Sequence, residues 1–242
     1  MSDSDNPYEA PKAELGGEPE QVGGSIENTL AGNAVLDIAD VMSEAWQRTK
    51  GIKRIVIGGG FLIYLVVIVV TLVLGLVFGF GDEQSFPGVA ITQLVTMLMI
   101  YPFFAGVFML GLRQSVGLPV SFGQQFAQYG AALPIFVVAI LQSIVTVIGF
   151  VLLIIPGLYL AFALALAIPL KVEKRLPIVD CLTTSMKLVN KKFLSVAVLA
   201  IVASFISALG FITLIGWIWA VPWMLMVYAI TYRQLAGCEI EA

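Results

Sequence analysis

The sequence predicts an all-α fold, a polytopic bundle of transmembrane helices, and three observations carry that reading. Hydrophobic residues make up 59% of the 242-residue chain and charged residues 12%, with a mean hydropathy of +0.97. Soluble domains fall far from these values, because they cannot bury so much apolar surface. The apolarity is also segregated, since the stretch up to Arg54 holds ten of the sixteen acidic residues and the remainder is almost uncharged. Finally, the apolar part divides into runs near the ~20 residues that carry a helix across a ~30 Å hydrocarbon core.

Residues 1–33 form an acidic tail, and residues 34–238 a membrane domain. Up to Gly24 the tail is rich in Glu, Asp, Pro and Gly. Such a segment buries too little apolar surface to offset chain entropy, so disorder is expected. The first long apolar run starts near Ile55, far behind the position of a cleavable signal sequence, and is expected to be kept as an anchor. Six spans are predicted, at about 55–80, 88–112, 129–153, 155–171, 193–213 and 216–234. The first contains no charge and inserts readily. The third and fourth come from one long stretch broken at Pro156-Gly157, where proline removes a donor and glycine permits a turn. A re-entrant fourth segment is the alternative.

Charge placement favours two crossings there. Lys50, Lys53 and Arg54 precede the first span, Arg113 follows the second, and Lys171, Lys174, Arg175, Lys187, Lys191 and Lys192 follow the fourth. Arg233 closes the last. All share one side only if the middle stretch crosses twice, and by the positive-inside rule that side is cytoplasmic, with both chain ends. The short opposite loops carry Asp82 and Glu83 and no base.

A repeat runs through this pattern. Leu112-Arg113 and Leu118-Pro119 recur as Leu170-Lys171 and Leu176-Pro177 at an offset of 58, and Pro102 with Arg113-Gln114 recurs as Pro222 with Arg233-Gln234 at an offset of 120. The predicted unit is an amphipathic helix followed by a transmembrane hairpin, used three times as parallel repeats; chance likeness among apolar segments is the alternative. Val35, Ile38, Met42, Ala45 and Trp46 mark the apolar face of the first opening helix, with Asp37, Asp40 and Glu44 opposite. A second such helix follows Pro177, and its Lys187, Lys191 and Lys192, with Lys171, Lys174 and Arg175 before it, are candidate contacts for anionic lipid phosphates. Ordinary inward anchoring is the plainer account. Trp217, Trp219 and Trp223 are expected to form a lipid belt at the outer end of the last span.

Much chemistry is excluded by inventory. There is no histidine, so Ser-His and Cys-His nucleophile pairs and His-ligated zinc or haem are absent. Cys181 and Cys238 have no partner at metal-binding spacing and read as structural. Gly58-Gly59-Gly60 lacks the Lys-Ser/Thr of a phosphate loop. No predicted span has an interior charge of the kind proton carriers and voltage sensors need. Neutral groups remain, among them Thr92, Gln93, Gln142, Ser143, Ser204 and Ser207, which suit interhelical hydrogen bonds. No catalytic residue, cofactor, metal or nucleic-acid partner is expected. The expected role is a non-catalytic membrane module that binds lipids or a protein partner; a channel or facilitator for a neutral or lipidic solute is the alternative.

Pro156-Gly157-Leu158-Tyr159, Pro169, the Ser185-centred helix and the closing run from Pro222 to Tyr232-Arg233-Gln234-Leu235 resemble the bacterial YciC-like inner-membrane family. They are also similar to the membrane domain attached to some bacterial glycerophosphodiester phosphodiesterases, whose catalytic domain is absent here. The resemblance spans about Val35 to Gly237 and implies a bacterial inner-membrane module without known chemistry. In the tail, Asn6-Pro7-Tyr8-Glu9-Ala10-Pro11 resembles a short motif near the N-termini of bacterial membrane proteins. Pro7 and Pro11 favour an extended backbone, and Tyr8 offers an aromatic anchor beside Asn6 for a partner's groove; plain linker is the alternative.

Overall fold

The structure, a computed structural model, describes residues 21–79, 85–213 and 215–239. It is a helical bundle. The short helices α1 (Ile26–Leu30) and α2 (Ile38–Arg48) lead into the hairpin of α3 (Lys53–Phe78) and α4 (Phe86–Ser115). A 3-10 helix (Phe122–Ala131) precedes α5 (Ala132–Leu152), α6 (Ile154–Ala163) and α7 (Ala167–Glu173). Then α8 (Ile178–Lys191) precedes the hairpin of α9 (Phe193–Ile212) and α10 (Trp217–Ala236). A short helix before a long hairpin thus recurs three times.

Five segments are long and apolar enough to cross a membrane, namely Lys53–Phe78, Phe86–Ser115, Phe122–Leu152, Ile154–Glu173 and Phe193–Ile212. Their bounds follow the predicted spans closely, because a helix is the one open-chain structure that satisfies its backbone without water. Phe61, Tyr64, Val69, Leu76 and Val77 of α3 are all exposed, an apolar surface of the kind that faces lipid or another apolar partner. The sixth long helix, α10, is long enough but less apolar, with its three tryptophans, Tyr228, Tyr232 and Arg233. It is enclosed by α2, α3, α4 and α9, and Met226, Ile230, Tyr232 and Leu235 are fully buried. The C-terminal half of α10 thus meets other helices, and so tolerates polar groups that find partners there, whereas Trp217, Trp219 and Met224 nearer its start are exposed.

The best-packed core surrounds the C-terminal half of α10, where Leu110, Leu112, Leu166, Leu170 and Leu188 close around it. Val221, near the start of α10, lines an apolar cavity of about 260 Å³ with Val56 and Gly60 of α3 and Phe103 and Val107 of α4. From Gly60, α3 runs on for ~27 Å at 1.5 Å per residue, with α4 beside it as far as Phe78, which lies against Gly88.

Three local expectations change. Residues 21–33, assigned to the tail, are folded: Gln21 and Val22 pair antiparallel with Glu239 and Cys238, and the buried Thr29 hydroxyl donates to the Leu235 carbonyl at 2.6 Å. The break between third and fourth spans is at Leu153, extended at φ −164° and ψ 156°, and not at Pro156-Gly157. Pro156 falls in the first turn of α6, where no intrahelical donor is required. Gly157 lets α6 approach α5, since a Cβ there would overlap the Phe150 ring. Finally, the fourth segment is two helices. The Ser185 hydroxyl bridges their break, donating to Ala163 O at 2.8 Å and accepting from Leu166 N at 3.1 Å.

Candidate lipid-facing site

The six bases assigned to lipid separate into two groups. Lys171 Nζ donates to the Leu176 carbonyl at 2.8 Å and closes the α7–α8 loop. Lys174, with a side chain only 9% exposed, is 2.7 Å from Glu239 and 3.5 Å from Glu173. Lys174 is thus neutralised within the chain, whereas Lys171 gives one of its three donors to a carbonyl and keeps its charge. Arg175, Lys187 and Lys191 are exposed, Lys192 is half-buried at the end of α8, and none has an ion-pair partner among the described residues. Lys187 and Lys191 lie one turn apart on α8, opposite the buried Cys181, Ser185, Leu188 and Val189. Asp180 is also exposed at the start of that helix. The motif Asn6, Pro7, Tyr8 and Pro11 lies outside the described residues, as do Asp82 and Glu83.

A polar junction that the sequence did not reveal gathers at the same end. Arg233 reaches Glu44 of α2 at 2.8 Å and donates to the Ser115 carbonyl at the end of α4, while its own carbonyl accepts from Gly24 N at 3.0 Å. Glu44 also pairs with Arg48 at 3.4 Å. Gln114 Nε2 donates to the Arg48 carbonyl at 3.1 Å. Beside it, the carboxylate of Glu173, 1% exposed, accepts from the Tyr232 hydroxyl at 2.7 Å and from Glu239 N at 2.8 Å. A buried carboxylate is tolerable when paired and fully hydrogen-bonded, and Lys174 completes the set. The only signal in the sequence is the Glu44–Arg48 spacing of one helical turn.

Burial raises the Cys181 thiol to about 11, the nearby Lys171 opposing the shift. Burial, then the Glu173 carboxylate, raises Cys238 to about 11 as well. Both stay protonated at neutral pH, and a thiol is nucleophilic only as the thiolate. Among the described residues no group of three or more His, Cys, Asp or Glu could hold a metal ion.

The tryptophans are not a simple belt. Trp223 is 4% exposed and its Nε1 donates to the Met42 carbonyl of α2 at 3.4 Å. The ammonium of Lys53 stands 5.0 Å above the ring of Trp219. The reason is α2, which packs its buried Val41 and Ala45 against the bundle and contacts both α9 and α10. Gln125 of the 3-10 helix is fully buried against Gly59 of α3, and neither polar atom of its amide has a hydrogen-bond partner among the described residues. Comparison with protein-family models, curated proteins and solved structures finds no match for this chain.

Proposed function

We propose that the chain is a non-catalytic module of the bacterial inner membrane that holds anionic lipid headgroups on the basic face around α8. One observation carries the reading: Arg175 before α8 and Lys187 and Lys191 near its end are exposed and without an ion-pair partner among the described residues, whereas Lys174 is paired with Glu239 and Glu173. Each base near an anionic surface contributes about 1 kcal/mol. Reconstituted protein should therefore unfold at higher temperature in phosphatidylglycerol than in phosphatidylcholine nanodiscs. Replacing all three bases by glutamine should remove most of that difference. A gain left undiminished by the triple substitution overturns the proposal.

The same reading has the chain cross six times with both ends in the cytoplasm. The five apolar segments support the multi-pass part of that reading, and the β pairing of Gln21–Val22 with Cys238–Glu239 brings the two ends of the folded chain together; against the expected placement, the contact of Lys53 with Trp219 sets the start of α10 beside the start of α3 and not at the opposite face. A topology reporter inserted at Gly157 should respond on the side opposite to one fused after Ala242. The same side for both would remove a crossing and leave a re-entrant fourth segment.

A further inference from the structure

A groove of about 500 Å³ runs between α2 and the α9–α10 hairpin. Its walls are Met42 and Trp46 from α2, Ile206 and Gly210 from α9, and Trp219 and Trp223 from α10. Ser43 and Gln47, both exposed, also line it and are neutral. That volume falls within the ~300–1,000 Å³ usual for ligand clefts, as does the mixture of apolar wall and few polar groups. The adjoining surface is lipid-facing in character, since Phe205, Leu209 and Trp217 are exposed on the same hairpin. A chain of methylenes from the bilayer could enter without crossing water.

Charge decides the headgroup. Lys53 does not itself line the groove, but its ammonium stands 5.0 Å from the ring of the lining Trp219 and so sets a cation at the groove's edge. Lys50 and Arg54, exposed on either side of it in sequence, add to the positive field. The carboxylate that follows groove-lining Ser43 is Glu44, already spent on Arg48 and Arg233. An apolar trough with a base at its edge that has no ion-pair partner among the described residues matches one bilayer component, a phospholipid whose acyl chain fills the trough and whose anionic headgroup meets the ammonium. We infer that the groove between α2 and the α9–α10 hairpin is a specific binding site for an anionic phospholipid. The inference shares with the proposed function the view that this is a lipid-binding membrane module, but it concerns a separate place and separate residues.

The test uses the full chain in liposomes of equal phosphatidylglycerol and phosphatidylcholine, with a diazirine amino acid in place of Gln47 or, as a bulk-lipid control, in place of the exposed Leu76 of α3. Lipid adducts are then read by mass spectrometry. The phosphatidylglycerol to phosphatidylcholine ratio at position 47 should exceed that at position 76 by about fivefold, equivalent to about 1 kcal/mol for one base. Lys53→Gln should abolish the enrichment, and Trp46→Ala should reduce adduct yield at position 47. The glutamine triple at Arg175, Lys187 and Lys191 should leave it intact, which separates this site from the face around α8. Equal ratios at the two positions overturn the inference. So does an adduct at position 47 formed with protein instead of lipid, or no lipid adduct there while position 76 is labelled.

Discussion

Gly106→Ala should lower the thermal midpoint of the detergent-solubilised protein by several degrees. A Cβ at Gly106 would meet the backbone carbonyl of Gln125 well inside van der Waals contact. Backbone cannot rotate away as a side chain can, so the 3-10 helix must shift off α4. Overpacking of this kind costs about 1–3 kcal/mol, and in a chain of this size each kcal/mol moves the midpoint by about 2–4 °C. The shift would also disturb the bond from the Tyr129 hydroxyl to the Met99 carbonyl, 2.7 Å long. Gly123→Ala is the control, since an added Cβ there meets nothing within 4 Å. If the two substitutions behave alike, the close packing of the 3-10 helix on α4 is wrong.

Arg233→Met should be more damaging than Glu44→Gln, although both break the same ion pair. Arg233 ties α10 to α2 through Glu44 and to α4 through the Ser115 carbonyl. Losing it leaves that carbonyl bare and Glu44 with Arg48 alone. The Arg233 side chain is 11% exposed and that of Glu44 28%, so solvent screens part of the attraction. With that discount the arginine substitution should cost about 2–3 kcal/mol, below the usual toll of a wholly buried pair. Glu44→Gln keeps the Ser115 bond and should cost about 1 kcal/mol. The double variant should fall short of the sum by about 1 kcal/mol, as expected for residues in contact. Equal single effects, or strict additivity in denaturant or thermal unfolding, would show that Arg233 does not join the three segments.

Residues that were hard to read share a physical cause. Gln125 stands in a polar stretch with glycines on either side, Gly123 and Gly130, just ahead of the third predicted span. The bond from Ser121 N to Gln124 Oε1, 2.9 Å, marks a helix start that could have been found. That the Gln125 side chain would turn inward against Gly59 depends on α3, more than sixty residues away. Lys171 and Lys174 looked equivalent to Lys187 and Lys191 because charge alone was visible. What separates them is Glu173, Glu239 and the Leu176 carbonyl, which the fold brings to one place.

Read alone, the chain settles its class, the bounds of its long helices and the absence of histidine chemistry. Those depend on local quantities: twenty apolar residues in a row must form a helix in lipid, because the backbone has no other donor or acceptor there. Tertiary structure alone decided that the C-terminal half of α10 lies at the centre, that α2 walls a tryptophan groove instead of floating free, and which bases remain unpaired. Each of these depends on which surfaces meet. In a membrane that choice is made by close packing of small residues and by satisfying polar groups, interactions between segments distant in sequence that no single run of residues records.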